Sequence, residues 1–142
     1  MELLLFFGYI RNLNALSVEL GLSESIEHDT LEKEVIIKGF EKWGQDLCSH
    51  LYGAFSFVIR DLSTDTIYCA RDQLGISTLF YHLTPNGKLL FSEDVRKIAK
   101  HPDYKKSLNK HALRKYLMFG YLAGNSTLFD GIEKLPAGHW LV

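Results

Sequence analysis

A chain of 142 residues that is 46% hydrophobic and 23% charged can bury one sizeable core, and it is read as a single domain over residues 1–142. Its net charge of −1 comes from 16 Lys and Arg against 17 Asp and Glu. The basic residues are read as scattered, which gives no reason to expect nucleic acid or an anionic membrane as a partner.

Met1 to Phe7 is apolar but has no basic leader and is far too short to cross a bilayer. A buried strand over Met1–Phe7 is therefore expected, in a cytoplasmic protein. Arg11 to Leu20, closed by Gly21, predicts a short helix with Leu13, Leu16 and Leu20 on one side. Glu24 to Thr30 is polar and is expected to be the least ordered segment. Ile36, Phe40, Trp43 and Leu47 then recur at intervals of four, three and four, the spacing of one helical face, with Gly44 as a possible break. Trp43 on that face is read as a core anchor rather than a stacking platform.

Ala54–Ile59 and Thr66–Ala70 are apolar, β-branched and aromatic runs separated by Asp61, Leu62, Ser63, Thr64 and Asp65, which predicts a hairpin. A second hairpin is expected from Leu79–Leu83 and Lys88–Phe91, joined through Thr84, Pro85, Asn86 and Gly87. Four consecutive antiparallel strands result. The first is apolar on both faces, because Phe55, Phe57 and Ile59 alternate with Ala54, Ser56 and Val58. Between the hairpins, Arg71 and Asp72 are read as bracing the turn into Leu74, Gly75 and Ile76. Ser92 and Glu93 are expected to cap a helix over Asp94–Lys100. Asn109 is expected to cap another that carries Ala112, Leu113, Tyr116 and Leu117 inward and stops at Gly120. The pattern as a whole is α+β.

Chemistry-bearing residues are sparse. Cys48 and Cys69 are read as small buried hydrophobes rather than nucleophiles, with a disulfide left open. The six histidines contain no i, i+4 pair of the kind that holds zinc on a helix, so no metal site is expected. Gly120, Gly124, Gly131 and Gly138 match neither a P-loop nor a dinucleotide fingerprint, and no cofactor is expected.

The blocks G-A-F-S-F-x-I-x-D from Gly53, I-Y-x-A-R-D-x-L-G-I-x-x-L-F-Y from Ile67 and L-L-F-S-E from Leu89 resemble the glutamine amidotransferase domain of asparagine synthetases. The likeness extends upstream through E-V-I-I-x-x-F-E-K-W-G-Q-D from Glu34. Downstream it takes in Asn109–Gly120 and I-E-K-L-P-A-G-H-W-L-V from Ile132. It implies an Ntn-type four-layer α-β-β-α sandwich of antiparallel sheets flanked by helices, here lacking part of the N-terminal strands. An exposed sheet edge would follow, and with it self-association into a homo-oligomer or docking onto a partner domain.

Members of that family use an N-terminal cysteine to attack the side-chain amide of glutamine. Residue 2 here is Glu2. The run Phe7-Gly8-Tyr9-Ile10-Arg11-Asn12 resembles the family's Asn-Gly-Glu-Ile-Tyr-Asn, in which the Asn side chain and the Gly amide stabilise the oxyanion. Gly8 is present, but Phe7 stands at the Asn position, and a phenyl ring donates no hydrogen bond to a developing negative charge. Glu32 matches the family's Asp that binds the substrate α-amino group. The carboxylate-binding Arg belongs to a segment before the sequence in hand.

The resemblance therefore assigns Gly8 and Glu32 to substrate binding, assigns no catalytic residue, and marks Glu93 as an interface candidate. The family's second half is an ATP-pyrophosphatase synthetase domain with an S-G-G-x-D-S loop, which does not occur here. That domain, in cis or in trans, is the implied partner, and a glutamine-like small molecule the implied ligand. Either the chain is part of a longer protein or it belongs to a branch without glutaminase function, and Phe7 favours the second. The alternatives are a stand-alone binding or regulatory module, or the non-glutaminase domain of an enzyme like the β-lactam synthetases and lasso-peptide cyclases.

Overall fold

The structure is a computed structural model that describes residues 1–22 and 27–142. The described residues group into two compact units, Met1–Ser77 with Ala137–Val142, and Thr78–Pro136.

The first unit is built on an antiparallel sheet in the order β1 (Glu2–Ile10), β2 (Gly53–Asp61), β3 (Thr66–Arg71) and β7 (Trp140–Leu141). Its centre is β2, buried without interruption from Ala54 to Val58 and on to Ile59, as a strand covered on both faces must be. The β2–β3 hairpin pairs Ser56 with Arg71 and Asp61 with Thr66. In its turn Asp65 takes φ +54° and holds Arg60 at 2.6 Å.

Three helices belong to this unit: α1 (Leu13–Glu19), α2 (His28–Trp43) and α3 (Leu47–His50). Leu13 and Leu16 from α1, Val35, Ile36 and Phe40 from α2, and Leu47 pack with Ile10, Phe55, Phe57 and Ile59 in one apolar core. Gly44 ends α2 at φ +57° and a 3-10 turn over Gly44–Asp46 leads into α3, so the break expected at that glycine is real. Trp43 packs against the core and stacks on His50 at 4.1 Å. Of the polar Glu24–Thr30 segment, Glu24, Ser25 and Ile26 lie outside the described residues, while His28–Thr30 open α2.

The second unit has its own three-stranded antiparallel sheet, β5 (Leu89–Ser92), β4 (Phe80–Leu83) and β6 (Glu133–Lys134), with α4 (Val95–Ala99) and α5 (Lys110–Phe119). Leu90, Ile98, Ala99, Tyr104 and Ile132 form its core. The tight reversal lies where Asn86-Gly87 places it: Gly87 N donates to the Thr84 carbonyl at 2.9 Å and Gly87 has φ +78°.

The fold is thus α+β, of antiparallel sheets with helices, consistent with an Ntn-type sandwich. Four expectations change in detail. The two hairpins belong to separate sheets, because the chain turns away after Arg71 instead of pairing β3 with β4. β1 is an edge strand with Leu4, Phe7 and Tyr9 exposed. The cap of α4 is Asp94, whose carboxylate accepts from Arg96 N at 2.9 Å, rather than Ser92 or Glu93. On α5 only Ala112 is buried, and Tyr116 and Leu117 face solvent instead of turning inward.

Candidate functional site

The chemistry implied by the sequence converges on the end of β1. A bulge between Leu3 and Leu5 sets the register so that Phe6 pairs with Phe57 and Gly8 with Phe55. Gly8 itself adopts φ +116°, and a Cβ built there would lie 2.0 Å from the Ala54 carbonyl oxygen. Only glycine fits this conformation and this close a crossing of strands. Phe7 leaves the strand half-exposed, and its carbonyl accepts from Ser77 Oγ at 3.1 Å.

Glu32 is buried near the start of α2, and its Oε1 accepts from the Ile10 amide at 3.2 Å. The structure therefore brings the carboxylate of Glu32 to the backbone two residues from Gly8. It also shows a clasp that sequence reasoning missed. Asn12, the last residue of the Phe7–Asn12 run, donates through Nδ2 to the His50 carbonyl at 2.8 Å and accepts at Oδ1 from Tyr52 N at 3.0 Å. A short polar side chain two residues past the end of an apolar strand was the available signal.

The turn after β3 is the best-bonded polar feature of this unit. Asp72, almost fully buried, accepts from Leu74 N and Ile76 N at Oδ1 and from Ser77 N at Oδ2, at 2.9 to 3.1 Å. Arg71 donates to the Ser77 and Gly75 carbonyls, each at 2.5 Å. Burial holds its guanidinium below the usual value, partly offset by the neighbouring Asp72 charge. Both residues act on backbone groups, which is a structural assignment.

Neither cysteine is an activated nucleophile. Both thiols are free, and burial pushes each up to about 12. Cys48 lines a cleft of about 220 Å³ with Arg71 and Gln73, yet at pH 7 a thiol of that pKa is roughly one part in 10⁵ thiolate. A raised thiol pKa also links to stability: above its ordinary value of 9.0 the unfolded chain releases protons that the folded chain keeps. Stability is therefore expected to fall as pH rises from about 9 towards 12. Chemical denaturation of Cys69→Ser across that range should show a shallower slope than the parent, and an identical slope would exclude Cys69 as a source.

Glu93 lies in the second unit, outside this cluster. Lys97 holds its carboxyl below the usual range, and Ser92 Oγ donates to it at 3.0 Å. Among the described residues, no three His, Cys, Asp or Glu come together as a metal-binding group, and no helix is long and apolar enough to cross a membrane.

The chain is 29% identical over 140 residues to asparagine synthetase [glutamine-hydrolyzing] 3 of Bacillus subtilis (strain 168), covering 97% of this chain and 22% of the relative. It is 28% identical over 142 residues to a putative asparagine synthetase [glutamine-hydrolyzing] 2 of Methanocaldococcus jannaschii, covering 99% and 27%. An amidase, chry2 of Gibberella zeae, matches at 29% over 112 residues, 77% of this chain and 16% of the relative. The chain thus spans about a quarter or less of the length of these proteins. Residues 1–142 match the glutamine amidotransferase domain family throughout, and the chain belongs to that family.

Proposed function

We propose that this chain is the glutaminase-like domain of an asparagine-synthetase-like amidotransferase in the cytoplasm, in a form whose own residues do not carry hydrolysis. The observation that supports this most is Phe7, a half-exposed phenyl ring beside a glycine of the motif, where the chemistry needs an amide donor. Loss of one oxyanion donor alone lowers rate by about 10²–10³, and the two thiols present are protonated at neutral pH. The partner is an ATP-using synthetase half, in cis or in trans, and Glu93 is a candidate for facing it.

In this reading Gly8 and Glu32 retain contact with a glutamine-like amide. Ammonia release from glutamine by the 142-residue chain should match the buffer blank, and release at least tenfold above it would refute the non-catalytic reading. Intact mass of the protein from its source cell, against 16.3 kDa for this sequence, tells whether the synthetase half is continuous with it.

Binding is tested separately. Glu32→Gln keeps an oxygen for the Ile10 amide but removes the charge. It should therefore weaken glutamine binding at least tenfold while changing stability by under about 1 kcal/mol. Calorimetric titration giving the parent's affinity would remove Glu32 from the site.

A further inference from the structure

A cleft of about 440 Å³ opens in the Thr78–Pro136 unit between α4 and the segment that leads into α5. Its size is that of a small-molecule site. The floor is apolar, made by Ala99 of α4 with Leu108 and Phe129. Leu108 and Phe129 pair in an antiparallel bridge, fixed by Asp130 N donating to the Ser107 carbonyl and Asn109 N to the Leu128 carbonyl, each at 2.9 Å. Phe129 packs on the core of Leu90, Ile98, Ala99, Tyr104 and Ile132, so the floor is rigid. Leu108 is nonetheless 53% exposed.

Three cations stand around that floor: Arg96 and Lys100, four residues apart on α4 and its C-cap, and Lys106 on the opposite wall. Among the described residues no carboxylate lines the cleft. The unit has five carboxylates, each placed elsewhere. Asp94 holds Arg96, with Arg96 Nε donating to Oδ1 at 3.0 Å and Nη2 to Oδ2 at 2.7 Å. Glu93 pairs with Lys97, and Asp103 with Lys88 at 2.6 Å. Glu133 accepts from the Tyr81 hydroxyl at 2.9 Å, and Asp130 lines a neighbouring cleft with Lys105, which Lys106 also borders. Arg96 is thus neutralised where it stands. Lys100 and Lys106 remain, and among the described residues neither ammonium has a carboxylate partner.

Two unpaired ammonium groups above an apolar floor specify an occupant with one anionic head and an apolar body. Each ammonium is a compact point charge, suited to a single carboxylate. The guanidinium fork that grips phosphate in two places is already engaged by Asp94. Inorganic phosphate would leave Leu108 and Phe129 wet. A nucleotide would set its ribose and base edges against side chains that offer no hydrogen bond, at a desolvation cost. A neutral hydrocarbon would leave both charges uncompensated.

We propose that this cleft binds a small organic monocarboxylate with an apolar body, a medium-chain fatty acid being the simplest member of the class. The chain lies on Leu108 and Phe129, and the carboxylate sits between Lys100 and Lys106. None of these residues is among those assigned to the glutamine-like amide, and the proposal does not depend on the functional reading above.

The test is calorimetric titration of the protein as its source cell makes it, with any chain that co-purifies. Octanoate is the probe, and octanamide, acetate and inorganic phosphate are the comparisons. Octanoate is expected to bind with a Kd of about 1 mM or tighter. It should bind at least about tenfold better than octanamide, which lacks the charge, and than acetate, which lacks the chain. Lys100→Gln combined with Lys106→Gln should weaken octanoate binding at least about tenfold, and Leu108→Asp should do the same. All three side chains are exposed, so Tm should stay near the parent's. Arg114→Gln with Lys115→Gln, outside the cleft, should leave the affinity unchanged. Octanamide binding as tightly as octanoate would overturn the carboxylate head, and acetate or phosphate binding as tightly would overturn the apolar body. No octanoate binding by the whole protein, or binding that the cleft variants do not weaken, would overturn the site.

Discussion

Gly8→Ala is expected to destabilise the chain by about 4–6 kcal/mol, near the top of the range for single substitutions, and to lower Tm by about 15 °C or more. Two terms add. At φ +116° an L side chain is strained by about 1–3 kcal/mol. The added Cβ would also meet the Ala54 carbonyl oxygen at 2.0 Å and Phe55 Cα at 3.0 Å. Those are backbone atoms of the central strand, so relief requires β1 and β2 to part where Gly8 pairs with Phe55 and Ile10 with Gly53. Thermal melting followed by circular dichroism checks this, and a product that never folds meets the same expectation. A loss under about 1 kcal/mol would mean that β1 is not held against β2 at this point.

That result bears on function, because it separates two reasons for the glycine. The resemblance assigns Gly8 to the oxyanion site. The structure gives a sufficient reason that involves no substrate: the strand crossing admits no side chain. Glycine here is therefore weak support for retained amide chemistry, whereas Phe7, which the backbone does not require, is the residue on which the proposed loss of that chemistry rests.

How far the sequence carried the fold depended on whether a signal was local. β2 and the β2–β3 turn were legible because Ala54–Ile59 is apolar at every position but Ser56, and Asp61–Asp65 is polar apart from Leu62. Gly44 and Gly120 marked helix ends through the conformation each must adopt, and the Asn86-Gly87 reversal was equally plain. The separation into two sheets was not legible, since two hairpins in succession read the same whether they share a sheet or not. Helical spacing on α5 identified apolar positions without saying what covers them; Ala112 is buried in its own unit, and Leu117 is not. The partnership of Glu32 with the Ile10 amide spans 22 residues and leaves no periodic trace. Its position in the motif came from the resemblance alone, and its bond to β1 only from the structure.

Asp72→Ala is expected to cost about 3–5 kcal/mol, the range for removing one member of a buried, hydrogen-bonded charged group. Three amides, those of Leu74, Ile76 and Ser77, lose their acceptor together. Arg71, itself buried, loses the adjacent negative charge that favours its ionised form. Asp72→Asn should cost less, about 2–3 kcal/mol, since one oxygen still accepts while the new NH₂ opposes an amide donor. The damage should spread in a defined direction. Ser77 Oγ donates to the Phe7 carbonyl and bonds Ser56 Oγ at 3.1 Å, so a loosened turn releases β1 from beside the very residues assigned to the amide site. Hydrogen exchange in Asp72→Asn should therefore quicken at Leu74, Ile76 and Ser77, with Phe7 and Gly8 following. Faster exchange confined to the turn would show that the brace and β1 are independent. Unchanged exchange together with a loss below about 1 kcal/mol would show that the turn is held by its remaining backbone bonds, Gly75 N and Gly138 N to the Asp72 carbonyl at 3.1 and 2.9 Å, and that the carboxylate is dispensable.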